Sequence, residues 1–305
     1  MKKRRITYLL AVTMLISSCG LLTGCKNDNT ENSSEESATV ANELTDAGRV
    51  TDLCDYSCIP IEVEEFAVTE DDVSTMAASV LESCGIDSTL ENLTDETVSE
   101  YFADYDIDTT AIFMDFIREY LNDYSETCKK NAISGATEEY LLANCEVEVN
   151  EDYVQNRTDL YEKLFTVLYV SEDDNLENYI KNEYELTVEE AESLWYDVMY
   201  QQVSLEIILA EIAEREEITV SDEEYSNYIS QILTEYPGYT ETELYELYGY
   251  GTDQGKVFFM KQCVANVALD YVIENADVSI LANETPTESV EDTEFIESTE
   301  YNEQI

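Results

Sequence analysis

The 305-residue chain contains no histidine, few prolines and glycines, and 15 basic against 69 acidic residues. Histidine is the usual general base and the commonest zinc ligand in proteins, so catalytic triads and zinc sites built on histidine are excluded. The formal net charge of −54 repels nucleic acids and anionic lipids. We therefore expect cationic, neutral or apolar partners and no nucleic acid.

The chain has no hydrophobic run of membrane-spanning length. The apolar stretch Ile6–Ile16 is about half the ~20 residues that a spanning helix needs. It follows the basic residues Lys2–Arg5, and a basic start before a short apolar run is typical of an export signal. The sequence therefore predicts export from the cytoplasm.

The export signal ends in Leu22-Thr23-Gly24-Cys25, which resembles the lipobox of bacterial lipoproteins. This resemblance implies a signal peptide over residues 1–25 and lipidation of Cys25, with palmitate among the acyl groups. Two acyl chains give stable anchoring, so we expect the protein at the outer face of the bacterial cell membrane. Cys19 is a poorer second candidate because it lies too close to the apolar run, and an ordinary cleaved signal remains an alternative.

The mature chain divides by composition into three parts. Residues 26–47 are rich in Asn, Ser and Glu and predict a disordered linker, and residues 282–305 predict a disordered acidic tail. Between them, residues 48–281 are long enough for one large or two small cores.

Six cysteines follow Cys25, and they allow 15 fully paired connectivities. On a strand, Cys54 and Cys58 would lie ~13 Å apart, beyond the ~7 Å limit between Cα atoms for a disulfide. A redox or zinc site at this pair is therefore not favoured, and the pairing stays open. The six are Cys54, Cys58, Cys84, Cys128, Cys145 and Cys263.

Apolar residues recur at helical spacing over most of residues 69–275, which predicts a mainly α fold. Before them, residues 50–68 alternate and predict one or two extended segments. We expect one helix to end near Gly85. After the helix that begins at Asp108–Thr109, the pattern is ambiguous for a stretch, and a further helix is then expected to run to Leu142. Helix starts are predicted at Thr69, Thr94, Asp108–Thr109, Asn150, Thr187 and Ser221.

Two predicted helices have wide apolar faces, and we expect the face of the second to point inward. The helix that begins at Asp108–Thr109 carries Ile112, Phe113, Phe116, Ile117, Tyr120 and Leu121. The helix that begins at Asn150 carries Val154, Leu160, Leu164, Val167 and Leu168.

The segment EREEITVSDEEYSNYI, residues 214–229, concentrates acidic side chains that could form a metal site, an acid/base pair or a helix start. Ser221 followed by Glu224 is the pattern of a capping box, which favours the helix start. Asp104, Asp106, Asp108 and Asp115 imitate a calcium loop, but that loop needs Gly at position six and Glu at position twelve. Thr109 and Asp115 occupy those positions, so we predict no metal, no cofactor and no catalytic residue.

Three blocks of the chain resemble the bacterial trigger factors, in that family's order. They are DLCDYSCIPIEVEEFAVTEDDV from Asp52, then LENLTDETVSEYF with the following helix, and last ILAEIAEREEITVSDEEYSNYI with LYELYG and VALDYVIENADVS. The resemblance implies the elongated, multi-helix C-terminal region of the family, which is a SurA-like chaperone arm. Residues 48–281 are expected to form this region.

The sequence departs from the family where the prolyl-isomerase domain would lie, because few residues separate the first block from the second. Nothing in it resembles the family's ribosome-docking Gly-Phe-Arg loop. We therefore expect a form without the ribosome-binding and isomerase domains. The implied function is ATP-independent holding of unfolded exported polypeptides. The alternatives are a peptidyl-prolyl isomerase, whose domain we do not find, and a non-catalytic adhesin; the oligomeric state stays open.

Overall fold

The computed structural model describes residues 47–86, 89–171, 174–236, 238–248 and 252–281. These residues form nine α-helices and four short strands in an elongated, mainly α fold, as predicted. The predicted signal peptide with Cys25, all but the last residue of the predicted linker, and the acidic tail lie outside the described residues.

The elements follow one another with short connections. The helices are α1 (Glu70–Ser83), α2 (Asp95–Phe102), α3 (Thr110–Asn144), α4 (Glu151–Tyr169), α5 (Leu176–Tyr184), α6 (Val188–Arg215), α7 (Asp222–Glu235), α8 (Glu241–Leu247) and α9 (Thr252–Asn275). The strands are β1 (Gly48–Asp52), β2 (Pro60–Glu64), β3 (Glu146–Val149) and β4 (Asp277–Leu281).

The acidic residues that follow Ser221 lie at a helix start, which confirms the capping-box interpretation of this segment. At α7, the Ser221 hydroxyl accepts the backbone N–H of Glu224, and the Glu224 carboxylate accepts the N–H of Ser221 at 2.7 Å. Both bonds satisfy backbone donors that a helix start leaves without partners. The same reciprocal pair begins three other helices, at Thr69 with Asp72, Thr187 with Glu190, and Thr240 with Glu243.

The prediction of two helices between residues 108 and 142 was wrong. Helix α3 is continuous over 35 residues, because the polar residues of the ambiguous stretch are satisfied within it. Thr127 and Thr137 donate their hydroxyls to carbonyls four residues earlier. The N-cap is Thr109, whose hydroxyl accepts the N–H of Ile112. Asp108 does not cap the helix.

Helix α3 joins two separate cores. Phe113 and Ile117 are buried near its start, and Leu141 is buried near its end. At 1.5 Å per residue, Phe113 and Leu141 lie about 42 Å apart along the axis. We call the first core the tip core (Val73, Ala77, Leu81, Ile86, Val98, Ile107, Phe113 and Ile117). The second is the base core (Ile59, Ile61, Val63, Leu141, Cys145, Ile208, Leu209, Ile212, Ala213, Ala265, Ala268, Leu269 and Val272).

Helix α6 packs against the base core with one end and against a further core with the other. That further core surrounds Trp195 and includes Tyr161, Phe165, Ile180 and Met199. Another lies between α7, α8 and the start of α9, where Tyr225, Tyr245 and Phe259 are buried. Gly255 is required there, because a Cβ at this position would lie 2.4 Å from the Tyr245 side chain.

Two small sheets fasten distant parts of the chain. Strand β1 pairs antiparallel with β3, and β2 pairs parallel with β4. Gly48 at the start of β1 has a φ of +137°, and a Cβ there would lie 2.2 Å from the Glu148 carbonyl oxygen. The extended segments around residues 50 and 61 are confirmed. Strands β3 and β4, with helices α5 and α8, were not predicted, although Asn175 and the Thr240–Glu243 pair are the same start signals found elsewhere.

A buried ion pair connects α4 to α6. Arg157 donates to Glu206 at 3.2 Å, and their side chains are only 8% and 15% exposed. The Arg157 guanidinium also lies 4.8 Å from the ring centre of Phe258 on α9. Three helices therefore meet at this buried cation, and Glu206 supplies a counterion for its charge.

We expect Glu206→Ala to lower the free energy of unfolding by about 3 kcal/mol, because it removes a carboxylate that pairs with a buried guanidinium. The matched control is Glu211→Ala, which breaks the exposed pair with Arg215 and should cost less than about 1 kcal/mol. Urea unfolding followed by circular dichroism measures both. Equal losses in the two variants would contradict the role of burial.

Glu138 introduces a pH dependence near the base of α3. Burial of its carboxyl raises its pKa above the ordinary value, opposed by a hydrogen bond from Ser134 and assisted by the charge of Glu139. A carboxyl whose pKa is higher in the folded state stabilises the fold at low pH. This contribution is lost as the pH rises through the folded-state pKa.

Glu138→Gln should therefore raise the melting temperature at pH 7.5 and have a much smaller effect at pH 4, where the wild-type carboxyl is protonated. The control is Glu119→Gln, which removes the same charge from an exposed position on α3. Thermal melts at the two pH values test this expectation. A gain that is the same at both pH values would exclude titration of Glu138 as the cause.

Candidate functional site

The first half of α3 carries a row of exposed apolar side chains. Ile112, Phe116, Tyr120 and Tyr124 are 42%, 51%, 52% and 60% exposed. Their four-residue spacing places them on successive turns over about 18 Å. We call these four residues the α3 stripe. Large apolar groups at successive turns without cover are typical of an interaction surface.

The apolar face predicted for this helix is partly buried and partly exposed. Phe113 and Ile117, one position after two stripe residues, do reach the tip core. Ile112, Phe116 and Tyr120 lie on the adjoining rows and remain exposed, because the tip core packs against only one side of α3. On α4 the prediction of a wholly inward face was wrong, since Val154 and Leu164 are buried while Val167 and Leu168 are exposed.

Apolar groups continue beyond the α3 stripe toward the base. The Ser125 hydroxyl donates to the Phe66 carbonyl, which places Phe66 beside the residue that follows Tyr124. Phe66 is 38% exposed. Next to it, the Glu65 N–H donates to the Leu281 carbonyl at 2.9 Å. Exposed apolar residues therefore continue from α3, through Phe66, to the end of the β2–β4 sheet. Ile280 and Leu281 are also exposed there.

An acidic row accompanies the α3 stripe. Asp115, Glu119 and Asp123 are exposed, and each lies three residues after a stripe residue, which makes the two rows neighbours on the helix surface. A bound segment would therefore meet apolar and negative groups together. Such a surface favours apolar segments that carry Lys or Arg.

Arg118 fixes the start of the acidic row to α1. It donates to Asp115 at 2.6 Å and through two nitrogens to the Glu70 carboxylate, at 3.0 and 3.1 Å. Its hydrogen bonds and charge lower the pKa of the Glu70 carboxyl. Because the pair bridges α1 and α3, the tip core and the α3 stripe keep a fixed relation.

Tyr124 stays neutral at physiological pH. Its hydrogen bond with the Cys128 thiol raises the pKa of the phenol above the usual value. A neutral phenol offers an apolar ring and a hydroxyl that can bond to water or to a ligand. This is the chemistry of a surface that accepts many sequences.

Other parts of the described structure offer less for a site. The cleft lined by Arg157, Leu160, Tyr161, Leu164, Met199 and Tyr248 has a cavity volume of about 10 Å³, far below the ~300–1,000 Å³ of small-molecule pockets. The described parts of the chain contain no cluster of three or more metal-ligating side chains. Asp106 occupies a left-handed turn with a φ of 60°, and Asp115 lies inside α3. The predicted lipidation residue, Cys25, lies outside the described residues.

Comparisons with known proteins agree with the helical organisation. The profile of the family described as "Bacterial trigger factor protein (TF) C-terminus" matches residues 111–267. This match begins at α3 and ends within α9, so it contains the α3 stripe from Ile112 onward.

A curated relative is the trigger factor of Maricaulis maris (strain MCS10), which is 33% identical over 114 residues. The matched segment is 37% of this chain and 21% of the relative, so the chain spans about a fifth of that protein's length. No solved structure matches the chain. None of the helices in the described ranges is long and apolar enough to cross a membrane.

The family profile covers half of the chain, and the helices that it covers carry the exposed stripe. The chain therefore belongs to the bacterial trigger factor family, through that family's C-terminal region, and membership of this family suggests a chaperone function.

Proposed function

We propose that the protein is a membrane-anchored, extracytoplasmic chaperone that holds unfolded exported polypeptides without ATP. The observation that carries the proposal is the α3 stripe, which leaves four large apolar side chains 42–60% exposed on an arm. An unfolded chain exposes the apolar groups that such a stripe can shield. Family membership supports the same activity.

The acidic row adds selectivity to this activity. The net charge of −54 keeps empty molecules apart and attracts positively charged segments. A client with Lys or Arg beside apolar residues would satisfy both rows of α3. Release needs no nucleotide, because each contact is weak and exposed to water.

The N-terminal segment supports the location. The lipobox-like residues 22–25 and the basic, apolar leader favour attachment to the outer face of the cell membrane. There, the linker would let the arm reach clients as they leave the translocation machinery. The ribosome is not a partner of a protein in this location.

The triple variant Phe116→Ser, Tyr120→Ser, Tyr124→Ser should weaken client holding by about tenfold or more, because it removes three aromatic contacts. The measurement is suppression of light scattering by a reduced, unfolding client at stoichiometric ratios. Circular dichroism melts should remain close to wild type, since the replaced side chains are exposed.

The matched control replaces exposed apolar residues away from α3, in the variant Tyr200→Ser, Tyr239→Ser. This control should hold clients as well as the wild type does. Wild-type protein that does not suppress aggregation would remove the proposed function. Acceleration of proline-limited refolding by the wild type would favour the isomerase alternative, and tight binding to one folded partner only would favour the adhesin.

Cys25→Ser should abolish labelling of the protein by a radioactive fatty acid and release it from the membrane fraction, because the acyl-accepting thiol is lost. The control is Cys19→Ser, which should leave labelling and membrane attachment unchanged. Fatty-acid labelling of the Cys25→Ser variant at the wild-type level would refute the lipid anchor, without bearing on the holding activity.

A further inference from the structure

Two cysteines that are far apart in sequence meet at the base of the arm. Cys54 follows β1, and Cys145 lies between the end of α3 and the start of β3. They are 91 positions apart, and their Sγ atoms lie 2.7 Å from each other. The backbone N–H of Cys54 also points to the Cys145 sulfur, at 3.4 Å.

We propose that Cys54 and Cys145 form an intramolecular disulfide that fastens the base of the arm. A disulfide has an S–S distance of about 2.05 Å, so the two sulfurs need to approach by less than 1 Å. The pairing of β1 with β3 already holds the two backbones, with Asp52 opposite Glu146. The bond therefore forms without rearrangement of the fold.

The other cysteines do not compete for these two sulfurs within the described structure. Cys58 is exposed, and Cys84 is exposed at the end of α1, a helix of the tip core. Cys128 lies within α3, beside Tyr124. Cys263 is buried in the core between α7, α8 and α9. Of the 15 connectivities that the sequence leaves open, the fold thus selects those that contain the Cys54–Cys145 bond.

The environment of the pair indicates a structural bond rather than a redox-active one. Burial, together with the hydrogen bond and charge of the Cys145 thiol, raises the pKa of Cys54 to about 12. Reactive cysteines have low pKa values and are present as thiolates. In the folded protein the Cys54 thiol is protonated and nucleophilically weak, so we expect the bond to form during folding and then to persist.

The oxidation requires an external disulfide as oxidant. Two thiols lose two protons and two electrons as the S–S bond forms. The electrons reduce one small-molecule disulfide to two thiolates, which take up the two protons. Oxidising surroundings outside the cytoplasm supply disulfides of this class, so the occurrence of the bond in the cell rests on the proposed location. Its formation in vitro does not.

The bond would join the segment after β1 to the end of α3, and both of these pack in the base core. The loop that it closes contains β2, α1, α2 and α3, and so the whole tip core. Closing such a long loop restricts the unfolded chain strongly. We expect the oxidised protein to melt about 5 to 15 °C above the reduced protein.

The test uses the full chain, extracted in detergent from whichever cell fraction contains it. The protein is unfolded, refolded in oxidised and reduced glutathione, alkylated and digested before mass spectrometry. Cleavage before Asp55 separates Cys54 from Cys58, so their bonds can be told apart. The expected result is one linked pair of peptides that contain Cys54 and Cys145, both resistant to alkylation.

Thermal melts with and without reductant supply the second measurement. Reductant should lower the melting temperature of the wild type and of the exposed control Cys58→Ser by the same amount. It should not change the melting temperature of Cys54→Ser or Cys145→Ser. If either substitution prevents folding, the wild type with and without reductant still gives the comparison.

Alkylation of either Cys54 or Cys145 after oxidative refolding would overturn the proposal, and so would a Cys54–Cys58 bond. A linked pair with an unchanged melting temperature would overturn the fastening role. None of these results depends on client holding, so failure here is distinct from failure of the proposed function.

Discussion

The continuity of α3 is the constraint on which the other features depend. A helix of 35 residues is a rod of roughly 50 Å, and it keeps the tip core and the base core apart. The tip-core residues Phe113 and Ile117 alternate along α3 with the stripe residues Ile112 and Phe116. The α3 stripe therefore stays exposed because the tip core packs against only one side of the rod.

Several contacts between distant parts of the chain lie where the arm meets the rest of the molecule. Helix α6 packs in the base core and in the core around Trp195, and Arg157 joins α4, α6 and α9 through Glu206 and Phe258. Hydrogen bonds hold the turn after α6, because Tyr56 and Tyr271 both donate to the Glu216 carboxylate at 2.7 Å. Cys54 and Cys145 lie in this region. Because these contacts hold the base of the arm in place, the arm does not need to pack along its whole length. The tip core can therefore be small, and the α3 stripe can stay exposed.

The acidic composition has two separate uses in the fold. At helix starts, carboxylates accept backbone N–H groups and interact favourably with the helix dipole, and these account for Asp72, Glu190, Glu224 and Glu243. Along α3, Asp115, Glu119 and Asp123 accompany apolar side chains instead. The first use is local and stabilises a helix. The second gives an apolar surface a charge, so that empty molecules repel one another while cationic segments are attracted.

The sequence alone determined the properties that depend on neighbours within a few residues. Helix starts at Thr69, Thr187 and Ser221 could be read directly, because a capping box is complete within four positions. The mainly α class followed from the apolar spacing, and the family followed from the order of three blocks. Tertiary structure decided which apolar rows are covered. Phe116 and Ile117 are adjacent large apolar residues, and only Ile117 faces the helices of the tip core. Tertiary structure also decided that Cys54 meets Cys145, because strand pairing acts across 91 positions, a separation over which local patterns carry no information.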